Sequence, residues 1–172
     1  NSSIYLVQNE EDAININVNN KDHIAVVTQT TLSVDETKSI ISILKARFPN
    51  ISIPKKDDIC YATQNRQDAV KQLALESDFM IVVGSKNSSN SNRLKELSEK
   101  CGCKSVLIDE FKDLNLDELL NYSNISITAG ASAPESRVIE IAKSLETHIG
   151  AQIVQHGEDN ENIYFKLPSE LR

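Results

Sequence analysis

Short apolar runs and stretches of helical periodicity follow one another along most of the chain. The apolar runs predict buried strands, at residues 23–29, 79–84, 105–108 and 125–128. Apolar residues at helical spacing predict helices, at residues 34–48, 69–74, 94–100, 117–120 and 135–149. Strands that alternate with helices in this way favour an α/β fold, with mostly parallel sheets flanked by helices.

The two ends of the chain carry weaker patterns. Residues 4–18 combine an apolar run with an alternating one, which fits a helix fragment and weak strands equally well. The C-terminal tail predicts strands at 151–154 and 163–167, with a polar loop between them. A charged Lys-Lys-Asp-Asp link occupies residues 55–58, and we place a domain boundary between residues 56 and 57.

Local signals also predict where individual helices begin and end. Ser33 and Glu36 have the spacing of a capping box, which predicts a helix that starts at Val34. Pro134 suits the first turn of the helix that follows it. Gly102 lies between two cysteines, and we interpret this Cys-Gly-Cys segment as a helix end in preference to a metal site.

The most polar stretch lies between the strand at 79–84 and the helical pattern that restarts at Leu94. Residues 85–92 are serine and asparagine apart from Lys86. A loop at the carboxyl end of a parallel strand is where open α/β sheets bind ligands. The helix that follows points free N–H groups at the same place, which favours an anion of the phosphate type. The alternative is a solvated turn in which one serine or asparagine is the N-cap.

Two other strand ends carry the same kind of side chain. Thr30 and Thr31 follow the strand at 23–29, and Ser132 follows the strand at 125–128. With Ser88, Ser89 and Asn90 of the central loop, they suggest donors that converge on one anion, although each alone also suits a helix cap. No GxxxxGK[ST] sequence occurs, so a nucleoside triphosphate is disfavoured.

Whole-chain composition narrows the classes of partner. A formal charge of −7 and a pI near 5.0 argue against nucleic acid and membrane surfaces, so local donors would have to hold an anion. No apolar run is long enough to span a membrane, and the three cysteines fit the reducing cytoplasm, where we expect the protein. The chain opens on Asn1, so we expect it to begin inside a longer protein.

Cys60 precedes a predicted helix, where the helix dipole lowers a thiol pKa and favours the thiolate. It is equally a candidate for a small buried hydrophobe, although its neighbours on both sides are polar. A nucleophilic thiolate would need a base, and only His23, His148 and His156 occur. A single thiolate can instead be one ligand of an iron–sulfur cluster whose other ligands lie elsewhere.

Four segments of the chain, taken in order, are long enough to be compared with known families. They read Thr-Gln-Thr-Thr-Leu-Ser-Val-Asp at 28–35, Asp-Asp-Ile-Cys-Tyr-Ala-Thr at 57–63 with Asn-Arg-Gln at 65–67, Val-Gly-Ser-Lys-Asn-Ser-Ser-Asn-Ser-Asn-Arg-Leu at 83–94, and Thr-Ala-Gly-Ala-Ser-Ala-Pro at 128–134. Together they closely resemble the 4-hydroxy-3-methylbut-2-enyl diphosphate reductase (LytB) family. The resemblance runs from about residue 4 to the C-terminus and covers roughly the carboxyl-terminal half of that enzyme.

The resemblance implies a three-domain α/β reductase around a central 4Fe–4S cluster. Residues 1–56 would be the remainder of the second domain, residues 57–150 the third, and residues 151–172 a segment returning towards the missing first domain. Cys60 matches one of three cysteine ligands of the cluster, as its metal-binding residue. Five residues match the family's contacts to the substrate diphosphate and hydroxyl: Thr30, Ser88, Ser89, Asn90 and Ser132.

The implied reaction is reductive dehydroxylation of an allylic diphosphate to isopentenyl and dimethylallyl diphosphate, with ferredoxin or flavodoxin as electron donor. The family's proton donor and its other two cysteines belong to the missing amino-terminal part. We therefore expect no catalytic residue in this chain and no turnover by it alone. Two alternatives remain: a non-catalytic α/β phosphate-binding module, and a hydrolase or transferase that uses Cys60.

Overall fold

The computed structural model describes residues 3–54, 58–156 and 167–168. In these ranges a parallel sheet and its helices follow the predicted alternation. The helices are α1 (Glu10–Asn15), α2 (Val34–Arg47), α3 (Tyr61–Glu76), α4 (Ser89–Lys100), α5 (Leu116–Leu119) and α6 (Glu135–Ile149). The strands are β1 (Phe79–Val83), β2 (Lys104–Ile108) and β3 (Ile125–Ala129). None of these helices is long and apolar enough to cross a lipid bilayer.

The three described strands form one parallel sheet in the order β2-β1-β3. Their register aligns the ends of the strands, because Val83 lies opposite Ile108 on one side and Ala129 on the other. All five residues of β1 are buried, which explains its uninterrupted apolar sequence. Each such side chain contributes about 1.5–3 kcal/mol relative to an exposed position.

Helices cover both faces of this sheet, as predicted. Alternate residues of β1 point to opposite faces, so Met80 and Val82 pack with α3 and α4 while Phe79, Ile81 and Val83 pack with α5 and α6. The α/β fold class is therefore confirmed. It places the connections that follow β1, β2 and β3 at one edge of the sheet.

The amino-terminal segment packs around a smaller cluster formed by Ala13, Leu44 and Phe48. Residues 4–18, whose pattern was ambiguous, contain the short helix α1, and the Asn9 side chain accepts a hydrogen bond from Asp12 N–H (2.8 Å). Residues 23–29 were predicted as a buried strand, and this prediction is wrong. They form a single bridge, Ala25 to Ser52, and Val27 is 81% exposed. Within the described chain only one face of this run packs against other residues, whereas its apolar sequence suggested that both faces are buried.

Three smaller predictions also need correction. The Ser33 hydroxyl accepts Glu36 N–H (3.4 Å), but the Glu36 carboxylate binds Arg93 and Lys100 instead of completing a capping box. Pro134 is the N-cap of α6 and precedes its first turn. Residues 151–154 form no strand, since no neighbouring strand within the described ranges pairs with them. The predicted loop at 157–162 and nearly all of the strand at 163–167 lie outside those ranges.

Candidate functional site

The carboxyl edge of the sheet brings two of the three predicted polar loops together, those that follow β1 and β3. Gly84 and Gly130 directly follow β1 and β3, and their N–H groups donate to Ile108 O (2.8 Å) and Val83 O (2.9 Å). These bonds continue the ladder one residue past the strands, so the loops start side by side. The edge is thus built as a ligand-binding edge of a parallel α/β sheet.

The N-terminus of α4 supplies most of the donors at this edge. Ser88 is the N-cap, and its hydroxyl accepts Ser91 N–H (3.3 Å). The Asn92 amide donates to Lys86 O (2.7 Å) and Ser88 O (2.9 Å), which fixes the loop in front of the helix. Because no acidic side chain lies in the first turn, the positive end of the helix dipole is available to an anion.

Two side chains of this first turn are packed against the ends of β1 and β3. Asn90 is 5% exposed, and neither its amide nitrogen nor its amide oxygen has a hydrogen-bond partner in the described part of the chain. Ser91 is fully buried, and its hydroxyl also lacks such a partner. A buried polar group without a partner costs about 1–3 kcal/mol, so the Asn90 amide fits a group that a ligand satisfies.

The close packing depends on two glycines. A Cβ atom at Gly84 would lie 2.3 Å from Ser91 Oγ, and one at Gly130 would lie 2.1 Å from the same oxygen. At Gly130 that Cβ would also lie 3.7 Å from Asn90 Nδ2. Ser91 was not among the predicted site residues. The two strand-end glycines were the available signal, because glycine often marks a close approach of backbone to another group.

Cys60 is the N-cap of α3, and its thiol is free and exposed. Its Sγ lies 3.0 Å from the hydroxyl of Thr63, which is fully buried and therefore held in place. The pKa of the Cys60 thiol is lowered, chiefly by this hydrogen bond and further by backbone N–H groups of the first turn. The predicted thiolate character is thus supported, and the reading as a buried hydrophobe is wrong.

Thr30 lies directly beside Cys60, although the two residues are far apart in the sequence. Cys60 N–H donates to Thr30 O (3.1 Å), and the Thr30 side chain is exposed. Ser89 and Ser132 are exposed as well, at the start of α4 and in the turn closed by Ala133 N–H to Gly130 O (2.9 Å). These side chains are open to a ligand, whereas Asn90 is buried.

The direction of α3 relates Cys60 to the rest of this edge. Only Ser77 and Asp78 separate α3 from β1, so the helix runs back along the strand that follows it. α3 and α4 share one core cluster on the same face of the sheet. The start of α3 and the start of α4 therefore belong to the same end of this layer.

The other cysteines lie elsewhere. Cys101 is the C-cap of α4 and Cys103 immediately precedes β2, so both are at the amino end of the strands. Cys103 is buried, and this burial raises the pKa of its thiol. The predicted helix end is confirmed.

Two of the three histidines, His148 and His156, have partners other than Cys60. His148 Nδ1 bonds Ser144 O (2.7 Å), and His156 Nε2 lies 3.3 Å from a Glu76 carboxylate oxygen. Neither of these two histidines is therefore the base that a thiol-dependent hydrolase or transferase would need beside Cys60.

Cys60 fits one ligand position of a metal cluster. It offers an accessible thiol whose pKa is lowered, as thiolate ligands require. Within residues 3–54, 58–156 and 167–168, no group of three His, Cys, Asp or Glu side chains could hold a metal ion. Further ligands would therefore have to come from residues outside these ranges.

Comparison with known proteins decides the family. The family model described as LytB protein matches residues 1–146. This chain belongs to the LytB family. The resemblance drawn from the four sequence segments is confirmed.

Reductases from two bacteria are similar to this chain along nearly its whole length. The 4-hydroxy-3-methylbut-2-enyl diphosphate reductase of Saccharophagus degradans is 54% identical over 170 residues, covering 99% of this chain and 55% of that protein. The protein of the same name from Pseudomonas putida is 55% identical over 170 residues, with 99% and 54% covered. The chain spans about half the length of these relatives.

Solved LytB structures agree with the fold. The E-1-hydroxy-2-methyl-but-2-enyl-4-diphosphate reductase of Plasmodium falciparum superposes with a TM-score of 0.86 at 33% identity, over 97% of this chain and 53% of that one. A second structure, (E)-4-hydroxy-3-methyl-but-2-enyl diphosphate reductase, gives a TM-score of 0.51 at 28% identity, over 73% and 44%.

Proposed function

We propose that this chain forms about half of a 4-hydroxy-3-methylbut-2-enyl diphosphate reductase. The single observation that carries the proposal is the 54% identity over 170 residues to a protein of that name. The reaction removes the substrate hydroxyl as water, takes up two electrons and two protons, and yields isopentenyl or dimethylallyl diphosphate. The donor-rich edge of the sheet suits the diphosphate, and the accessible thiol of Cys60 suits a redox cluster.

The cofactor we propose is a 4Fe–4S cluster held by three cysteines, of which Cys60 is one. When bound, it supplies electrons and a Lewis-acidic iron for the substrate hydroxyl. Cys60 is prepared for ligation by the Thr63 hydroxyl, which lies 3.0 Å from its sulfur. The other two cysteines, and the proton donor, would come from the remainder of the full-length protein.

The remaining predicted residues bind and orient the substrate in this proposal. Ser88, Ser89 and the N–H groups at the start of α4 hold the diphosphate, and the Asn90 amide meets it from below with its unpaired atoms. Ser132 reaches it from the loop after β3. Thr30, tied to Cys60 through its carbonyl, holds the part of the substrate nearest the cluster. The loops thus fix one pose of a flexible substrate.

The wider arrangement follows from the same proposal. Residues 1–56 belong to a second α/β domain, 57–150 to a third, and 151–172 return towards a first domain outside this chain. Ferredoxin or flavodoxin delivers the electrons, and the protein works in the cytoplasm without nucleic acid or membrane.

The test is turnover by the full-length protein that contains this chain. After anaerobic reconstitution with iron and sulfide, it should convert 4-hydroxy-3-methylbut-2-enyl diphosphate to both products with reduced flavodoxin or dithionite. The matched control is the same protein with Cys60→Ser, which should lose turnover. A full-length protein that binds diphosphate, contains no iron or acid-labile sulfide and shows no turnover would instead be a phosphate-binding module.

A further inference from the structure

The start of α2 is attached to α3 by one buried side chain, that of Gln67. Gln67 is 1% exposed and lies in the second turn of α3. Its Oε1 accepts Val34 N–H (3.0 Å), and its Nε2 donates to Leu32 O (2.9 Å). Both ends of the amide are therefore used, and both partners flank Ser33, the N-cap of α2.

This attachment lies close to Thr30 in the chain. Leu32 is two residues after Thr30, and the Thr30 carbonyl accepts Cys60 N–H (3.1 Å). The loop from Thr30 to Val34 is consequently held to α3 at two places, at Cys60 and at Gln67. Gln67 is seven positions after Cys60, a rise of about 10 Å along the helix. Two fixed points restrict the loop far more than the Cys60 bond alone.

Other contacts between these elements are weaker restraints. Lys71 Nζ lies 2.7 Å from Asp35 Oδ2, one turn further along α3, with side chains 34% and 61% exposed. A surface ion pair of this kind contributes little, because water and salt screen it. Gln67 differs in being buried, uncharged and bonded through both of its polar atoms.

We propose that Gln67 is a positioning residue for Thr30. By fixing the loop between Thr30 and Val34 on α3, it sets the place of the Thr30 side chain relative to the Cys60 thiol. Gln67 is 1% exposed and both of its polar atoms bind backbone groups, so in this proposal its effect on the reaction passes through Thr30. The inference rests on the proposed function for its kinetic consequence, but the structural consequence can be measured independently.

The structural test is hydrogen exchange in the full-length protein. In Gln67→Met, a variant of similar size that loses both bonds, exchange at the amides of Val34 and Cys60 should accelerate at least 10-fold. Lys71→Met is the matched control on the same helix, and it should leave the Cys60 amide unchanged. If Gln67→Met does not fold, Gln67→Glu retains the acceptor for Val34 N–H and loses the donor to Leu32 O, so the test is then read at the Cys60 amide alone. Unchanged exchange at Cys60 in the folded variant would overturn the proposal.

The kinetic test is a double-mutant cycle between Gln67 and Thr30. Thr30→Ala and Gln67→Met should each lower kcat/KM about 10-fold or more, with iron and sulfide content retained. The double variant should be no worse than Thr30→Ala alone, because Gln67 acts through Thr30. If the two losses in kcat/KM multiply in the double variant, the positioning role is overturned and the proposed function is left intact. Absence of reductase activity in the unsubstituted protein would instead reject the proposed function, while the exchange result would still decide the role of Gln67.

Discussion

Substituting Gly130 by alanine tests how the first turn of α4 is held against the sheet. The new Cβ would lie 2.1 Å from Ser91 Oγ and 3.3 Å from Ser91 Cβ, whereas ordinary contacts begin at 3.4 Å. Ser91 is fully buried and therefore has no free space to move into. α4 must shift away from β3, or the Ser91 side chain must leave its position.

The cost follows from this overlap. Forcing extra atoms into a packed interior costs about 1–3 kcal/mol. Replacing glycine by alanine also lowers the conformational entropy of the unfolded chain, which stabilises the folded state by about 0.4–1 kcal/mol. The net loss in the free energy of unfolding should be about 1–2 kcal/mol. Inorganic diphosphate should bind more weakly as well, since Asn90 moves with the turn that carries it.

The assay is urea denaturation followed by circular dichroism, with Ser91→Ala as the partner in a double-mutant cycle. Ser91→Ala removes the oxygen at 2.1 Å and leaves only the 3.3 Å contact. The double variant should therefore recover most of the stability lost in Gly130→Ala, which gives a favourable coupling of about 1 kcal/mol or more. Full stability of Gly130→Ala, or additive losses in the double variant, would show that Gly130 is not required for this packing.

Two further predictions concern single side chains of the site. Thr63→Val removes the hydrogen bond that chiefly lowers the Cys60 pKa, so the pKa should rise and less thiolate should be present at neutral pH. Alkylation of the Cys60 thiol by iodoacetamide, measured in a chain that carries Cys101→Ser, should slow at neutral pH and approach the unsubstituted rate in strong alkali. Equal rates at neutral pH would remove Thr63 from this role. Asn90→Ala or Ser88→Ala should weaken diphosphate binding by ~1–3 kcal/mol, measured by isothermal titration calorimetry. An affinity that is unchanged in both variants would place the anion elsewhere.

The central part of the fold was predictable because its signals are local. β1 is apolar at every position since both faces of the sheet are covered, and Ser88 starts α4 as an N-cap. The run at 23–29 failed for the opposite reason. Its four central residues, 24–27, are as apolar as β1, but within the described chain the run meets one short partner segment around Ser52. Sequence pattern does not report how many neighbours a strand has.

The residues of the candidate site also fall into those that the sequence predicts and those that it does not. Ser88, Ser89, Asn90, Ser132 and Cys60 could be proposed because strand ends and helix starts are visible in the sequence, whereas Thr30 was proposed at the end of a strand that the structure does not form. The residues that hold them were missed, since Thr63, Gln67 and Ser91 act through contacts with distant segments or through close packing. Glu36 shows the same limit, because its carboxylate binds Arg93 and Lys100 of α4 instead of its own helix end.

The most direct measurement is the iron and acid-labile sulfide content of the full-length protein with Cys60→Ser, after anaerobic reconstitution. Cys101→Ser is the matched control, since Cys101 is also a free, exposed cysteine but lies at the far end of α4. We expect Cys60→Ser to lose the cluster, or to lose iron from it, while Cys101→Ser retains the content of the unsubstituted protein. A full complement of iron and sulfide in Cys60→Ser would contradict cluster ligation by this residue.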